Sequence, residues 1–280
     1  MTTSKIKLLE KDIIKYYEEK LSAAKISEKL KIDKKTVYRI LNNNNIKTRT
    51  LSEAAYKYTC DDNFFEVIDT EEKAYWLGVL YADGNITNHK VSCKRIFLTG
   101  TDKEWIEDFL KAIKSTNTPK SEKHNKFKDS IIWKASITSP KMHSNLNNLG
   151  CTPVKSMTIR IPDIKNELLN HFIRGYFDGD GTVGVYKNNK KLDWMILKSG
   201  FCSGSKSFIE DLLNIIPVKN KKIYHRNVYL TQFSLNDSII FYNYMYKNAT
   251  IYLKRKHKVF SDYILNYKSR KRFNDYNRLP

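Results

Sequence analysis

A helix-length pattern is written twice into this chain, and it restricts the fold more than any other feature. The first copy, WLGVLYADG, spans Trp76 to Gly84; the second, IRGYFDGDG, spans Ile173 to Gly181. Matching segments follow both. FLTGTDKEWIEDFLKAI comes after the first and FCSGSKSFIEDLLNII after the second, which aligns Phe97 with Phe201 and Gly100 with Gly204. Asp180 lies 97 residues beyond Asp83. A unit of roughly 100 residues is therefore repeated. Each copy opens with the motif helix, passes through strand-like segments to an IED helix, and continues into the alternating SIIWKASIT or VYLTQFSLN. Each then closes on a helical pattern, KMHSNLNNLG or IIFYNYMYKN, and the sum is a mixed α+β arrangement.

The motif itself poses a physical question. Gly78 and Ala82 share one helix face, as do Gly175 and Gly179. A glycine inside a helix costs about 1 kcal/mol against alanine. Small residues at that spacing let two backbones approach, so the two motif helices are expected to pack side by side. Gly84 and Gly181 suit a left-handed residue just past a helix end, which leaves Asp83 and Asp180 at the C-termini. An acid there opposes the helix dipole, and two such acids repel each other. A divalent cation relieves both costs. Paired carboxylates holding Mg²⁺ (or Mn²⁺) beside a phosphodiester are the elements of metal-assisted phosphoryl hydrolysis. An isolated Asp-Gly after a helix is an ordinary turn. Two copies inside a repeated unit are not.

The rest of the chain supports a polyanionic partner. Lys and Arg number 50 against 30 Asp and Glu, a net charge of +20. Residues 10–45 read as three helices, with Ser22 and Asp33 as N-caps and a short turn before the third. That spacing predicts a helix-turn-helix whose last helix shows Lys34, Lys35, Thr36, Tyr38 and Arg39 to a major groove. The expected division is a helix-turn-helix module over 1–48 and a linker over 49–70. Repeats over 71–155 and 156–266 follow, then a basic tail over 267–280. Cys60, Cys93, Cys151 and Cys202 are scattered and suggest neither a zinc site nor disulfides. No apolar run is long enough for a membrane helix and no signal peptide opens the chain, so a cytoplasmic, nucleoid-associated setting or a phage-infected cell is expected.

AYWLGVLYADGNI and FIRGYFDGDGTV resemble the two motifs of a single-chain LAGLIDADG homing endonuclease. LGCTPVKSMTIRIP and YLKRKHKVF resemble segments found between and after such motifs. The resemblance implies a pseudo-twofold pair of αββαββα halves, each with a four-stranded antiparallel sheet, the two forming a saddle over double-stranded DNA. It implies that Asp83 and Asp180 bind divalent metal and each serve the cutting of one strand by a monomer. Tyr81 and Asp178 stand at the motif's first acidic position, which in the family is structural. Lys134 and Gln232, in corresponding places on the matched strands, are candidates for the polar residue that accompanies each metal site. Asn85, Thr87, Asn88 and Lys90, then Thr182, Tyr186, Lys187 and Asn188, are candidate base readers. Two other functions fit the same scaffold: a DNA-binding regulator without cleavage, and a maturase that binds intron RNA. An intein is not expected, because the sequence opens with Met rather than Cys or Ser and ends in Leu-Pro without a terminal His-Asn.

Overall fold

The computed structural model describes residues 3–19, 21–48, 58–87, 94–123, 131–187 and 195–276. Two compact units divide the chain, Met1–Lys57 and Tyr58–Pro280. In the first, α1 (Thr3–Glu18), α2 (Ala23–Leu30) and α3 (Lys34–Asn43) enclose a small core of Ile13, Ile26, Val37, Ile40 and Leu41. Ser22 caps α2 by accepting from the Lys25 amide, and Asp33 caps α3 through the Lys35 amide. Lys31 turns the chain between them in the left-handed region, at φ 52°. Lys34, Lys35 and Arg39 are exposed on α3, while Thr36 and Tyr38 are half-buried.

In the second unit the repeat becomes visible as architecture. The first half runs α4 (Glu71–Asp83), β1 (Gly84–Ile86), β2 (Arg95–Gly100), α5 (Lys103–Ala112), β3 (Lys120–Lys123), β4 (Ile131–Thr138) and α6 (Pro140–Asn148). The second half runs α7 (Leu169–Asp180), β5 (Thr182–Lys187), β6 (Met195–Ser203), α8 (Lys206–Ile215), β7 (Tyr224–His225), β8 (Tyr229–Phe233) and α9 (Leu235–Tyr246). A long helix α10 (Lys254–Tyr276) follows, so helix continues into the segment expected to be a tail. The sheets have the orders β1-β2-β4-β3 and β5-β6-β8-β7, all antiparallel. The expected pair of αββαββα halves is the observed fold.

Helices α4 and α7 pack side by side at the centre, and each glycine explains the other's position. A Cβ on Gly78 would overlap the Phe172 carbonyl oxygen; one on Gly175 would overlap that of Tyr75. At the next turn, a Cβ on Gly179 would overlap that of Ala82. All other faces of α4 are also covered, so Tyr75, Trp76, Leu77, Val79 and Leu80 are fully buried. At the far end of the pair, Arg174 ties the halves together. Its guanidinium donates to Glu71 at 2.6 Å, to the Met245 carbonyl at 2.7 Å and to the Ile251 carbonyl at 2.9 Å.

Three expectations need correction. First, the linker ends earlier than residue 70. Phe64, Phe65 and Ile68 are buried in the core of the first half, and the Asp61 amide donates to the Ile113 carbonyl at 2.7 Å. The acidic, polar neighbours of these three residues concealed them. Second, Gly84 and Gly181 are extended (φ −76° and −73°), not left-handed. Their Cβ atoms are missing because the chain folds straight from helix into strand: a side chain would overlap Leu80 or Phe177.

Third, the two repeats align one residue differently along the second strand. Asn85, just after the first motif glycine, pairs with Phe97, and Phe97 with Ser136. Thr182, just after the second, pairs with Gly200, and Gly200 with Gln232. Phe97 thus corresponds to Gly200, and Leu98 to Phe201. Burial agrees: Leu98 is 0% and Phe201 2% exposed, both on the helix-packed face, whereas Phe97 lies on the other. A slip of one residue exchanges the faces of a strand. It also parts Lys134 from Gln232. The counterpart of Gln232 is Ser136, and that of Lys134 is Leu230.

Candidate active site

Because α4 and α7 run together, their last residues arrive together. Asp83 leans across the small surface of α7, where a methyl on Gly179 would stand 3.0 Å from its Oδ2. Burial, and then the charge of Asp180, push the Asp83 carboxyl up to about 6. Burial raises Asp180 as well. Half-buried Asp83 and the more exposed Asp180, both with raised carboxyls, are the arrangement a hard cation stabilises.

Two cations oppose that shift on both acids, and sequence reasoning did not single them out. Lys155 is 7% exposed and its Nζ donates to the Gly84 carbonyl. Lys256 is also 7% exposed. Its Nζ donates to the carbonyls of Phe177 (2.7 Å), Gly179 (2.9 Å) and Gly181 (2.6 Å). Each lysine therefore closes the C-terminal end of a motif helix, where carbonyls lack intrahelical partners. Burial pulls Lys256 down to about 8, against the pull of Asp178, Asp83 and Asp180. The segments LGCTPVKSMTIRIP and YLKRKHKVF carried the only sequence signal for this pair.

Asp178 and Tyr81 occupy the motif's first acidic position, and both are structural here. Asp178 is 1% exposed and accepts from Tyr75 Oη (2.8 Å), Tyr246 Oη (3.3 Å) and the Leu253 amide (2.7 Å). The Tyr75–Asp178 bond links the two halves, and Trp105 Nε1 in turn donates to Tyr75 Oη at 2.8 Å. Tyr81 donates to the Leu149 carbonyl.

Lys134 and Gln232 lie on the strands of the two sheets, Gln232 in line with Gly200 and Thr182. Lys134 Nζ bonds Glu122 at 3.3 Å and sits 4.9 Å from the Phe97 ring centroid. Gln232 is exposed on the same kind of sheet face. In both sheets one face packs on helices and the other is open. Asn85, Thr87, Thr182 and Tyr186 belong to the open faces, whereas Lys187 alternates onto the side of Val183 and Val185. The Thr87 hydroxyl is engaged with the Arg95 backbone. Asn88, Lys90, Asn188 and Cys93 fall outside the described residues.

Among the described residues no group of three or more His, Cys, Asp or Glu could hold a metal ion. No described helix is long and apolar enough to cross a membrane.

Fold and site together define a pseudo-twofold, two-sheet protein whose central helices end in adjoining acids. The family match agrees. Residues 167–234, within the second half, match the model of the LAGLIDADG-like domain, and the first half repeats the architecture of the second. Similar solved structures include three proteins bound to DNA. The homing endonuclease I-WcaI bound to its DNA recognition sequence is 17% identical, with 70% of this chain and 90% of that one covered and a TM-score of 0.48. The LAGLIDADG meganuclease I-AabMI bound to uncleaved DNA is 14% identical over 72% and 92%, at 0.46. The I-LtrWI LAGLIDADG homing endonuclease bound to target DNA is 14% identical over 72% and 91%, at 0.47. No curated protein matches the chain.

Proposed function

We propose that the protein is a site-specific, divalent-metal-dependent endonuclease of double-stranded DNA, cutting one phosphodiester on each strand. The observation that carries this reading is the meeting of Asp83 and Asp180, one from each repeat, at the ends of two helices held in contact. A structural role for both is hard to sustain, since each is raised by burial and neither caps a helix favourably.

The residues fit a hard divalent cation such as Mg²⁺. Their donors are carboxylate oxygens, and so few protein ligands suit an ion that keeps waters and binds substrate phosphate. Asp83 and Asp180 would hold it. When bound, the metal supplies an acidified water and charge neutralisation for the leaving oxygen. The chain's own part is positional. Lys155 and Lys256 fix the helix ends and offset the acids' repulsion, while the open sheet faces and the +20 charge hold the polyanion. Lys134 and Gln232, on the open sheet faces, belong to the surface that would meet the duplex. The N-terminal three-helix unit is read as an added DNA contact through Lys34, Lys35 and Arg39. A single chain supplies both acids, so a monomer suffices.

The test is linearisation of a plasmid library carrying candidate targets, in Mg²⁺ and in EDTA. Cutting in Mg²⁺ alone supports the reading. Tight DNA binding without cutting would favour a silent regulator, and preferential binding to structured intron RNA a maturase.

A further inference from the structure

We propose that the Glu122–Lys134 pair on the open face of the first sheet selects a G·C base pair, and that Gln232 and Tyr186 on the second select A·T. This rests on the reading of the protein as a duplex-DNA enzyme.

Ladder partners share a face, so the register assigns the side chains. Lys134 pairs with Thr99 on one side and Lys120 on the other; Glu122 pairs with Ile132, two residues before Lys134. Lys120, Glu122 and Lys134 therefore project together, and Arg95 shares their face through Thr138. Glu122 is 55% exposed and Lys134 31%, so the pair is open to an approaching groove. The second sheet differs. Gln232, Tyr186, Tyr224, Gly184 and Gly200 occupy its open face, and Lys198 is the one charge there among the described strand residues. The Tyr186 ring lies back over Gly184, with Lys198 Nζ 5.9 Å from its centroid, and forms a flat apolar surface.

Base edges answer these two chemistries differently. Lysine donates to guanine O6 and N7, and a carboxylate accepts from cytosine N4. O6 and N4 are neighbours within one G·C pair, so an adjacent ammonium and carboxylate complement it. Glutamine pairs with adenine N6 and N7, and apolar surface meets the thymine methyl. The first sheet thus calls for G·C at the Glu122–Lys134 position, and the second for A·T beneath Gln232 and Tyr186. The acid is the informative residue. On a face that meets phosphates Glu122 weakens general attraction, and a cytosine amine is the partner that compensates.

The experiment is affinity selection from a random duplex pool, with calcium in place of magnesium, followed by sequencing. The parent is expected to select a long shared site with a fixed G·C pair in one half and A·T pairs in the other. Glu122→Gln should lower the preference at that G·C pair about tenfold while raising affinity for the pool as a whole. The inference is overturned if the halves have the same composition, or if Glu122→Gln changes affinity but leaves every base preference intact, as a residue that only orients Lys134 would. Failure to select any shared duplex site overturns the underlying DNA reading with it.

Discussion

Asp83 and Asp180 cost the fold something that only a ligand returns. Because Asp83 is raised to about 6, the folded protein binds its proton more tightly than the unfolded chain does. The penalty is full above that value and disappears as pH falls into the ordinary carboxylate range. Asp83→Asn in EDTA at pH 7.5 is therefore expected to stabilise the protein, by about 1–3 kcal/mol in urea unfolding. The gain should shrink below pH 6, and a destabilised variant would remove the charge argument. Lys256→Met should do the reverse, removing three hydrogen bonds from carbonyls at the end of α7 at a cost of about 2–4 kcal/mol, and should depress cleavage more than binding. Retention of full cleavage by that variant would leave Lys256 without a role at the site. The acids were legible in the sequence because they recur in the same setting. The lysines were less so: among 50 Lys and Arg, only their place in LGCTPVKSMTIRIP and YLKRKHKVF sets Lys155 and Lys256 apart.

At the scale of elements, the paired helices depend on the absence of two methyl groups. Gly78→Ala or Gly175→Ala would drive a side chain into a carbonyl of the partner helix. Each is expected to cost about 1–3 kcal/mol or more and to lower cleavage by displacing one acid from the other. Urea midpoints near the parental value would mean that the helices meet elsewhere. Spacing alone disclosed this contact, since Gly78/Ala82 and Gly175/Gly179 mark one face per helix. The strand register was less legible. Phe97 and Phe201 look equivalent in one dimension, and only the ladder from Asn85 and Thr182 shows that they lie on opposite faces. Phe64, Phe65 and Ile68 escaped notice for a related reason: three apolar residues among acids show no period until they meet a core.

At the scale of the whole molecule, the chain divides into units that can be separated experimentally. Removing residues 1–57 should leave Tyr58–Pro280 folded and able to cut, because that unit has its own core and both acids. Binding should weaken, and its dependence on salt should flatten as phosphate contacts are lost. An unchanged slope would take the three-helix unit out of the DNA interface. Within the larger unit the halves are cross-tied by Arg174 to Glu71 and by Tyr75 to Asp178, so neither acid is expected to be placed correctly by its own repeat alone. The claim on which all of this turns is that one acid from each repeat serves the cutting of one strand. The most direct measurement follows supercoiled DNA bearing the selected site, in Mg²⁺, with the parent, Asp83→Asn and Asp180→Asn. The parent should linearise the DNA, and each variant should fail to do so while still binding it; linear product from either variant at the parental rate would contradict the account.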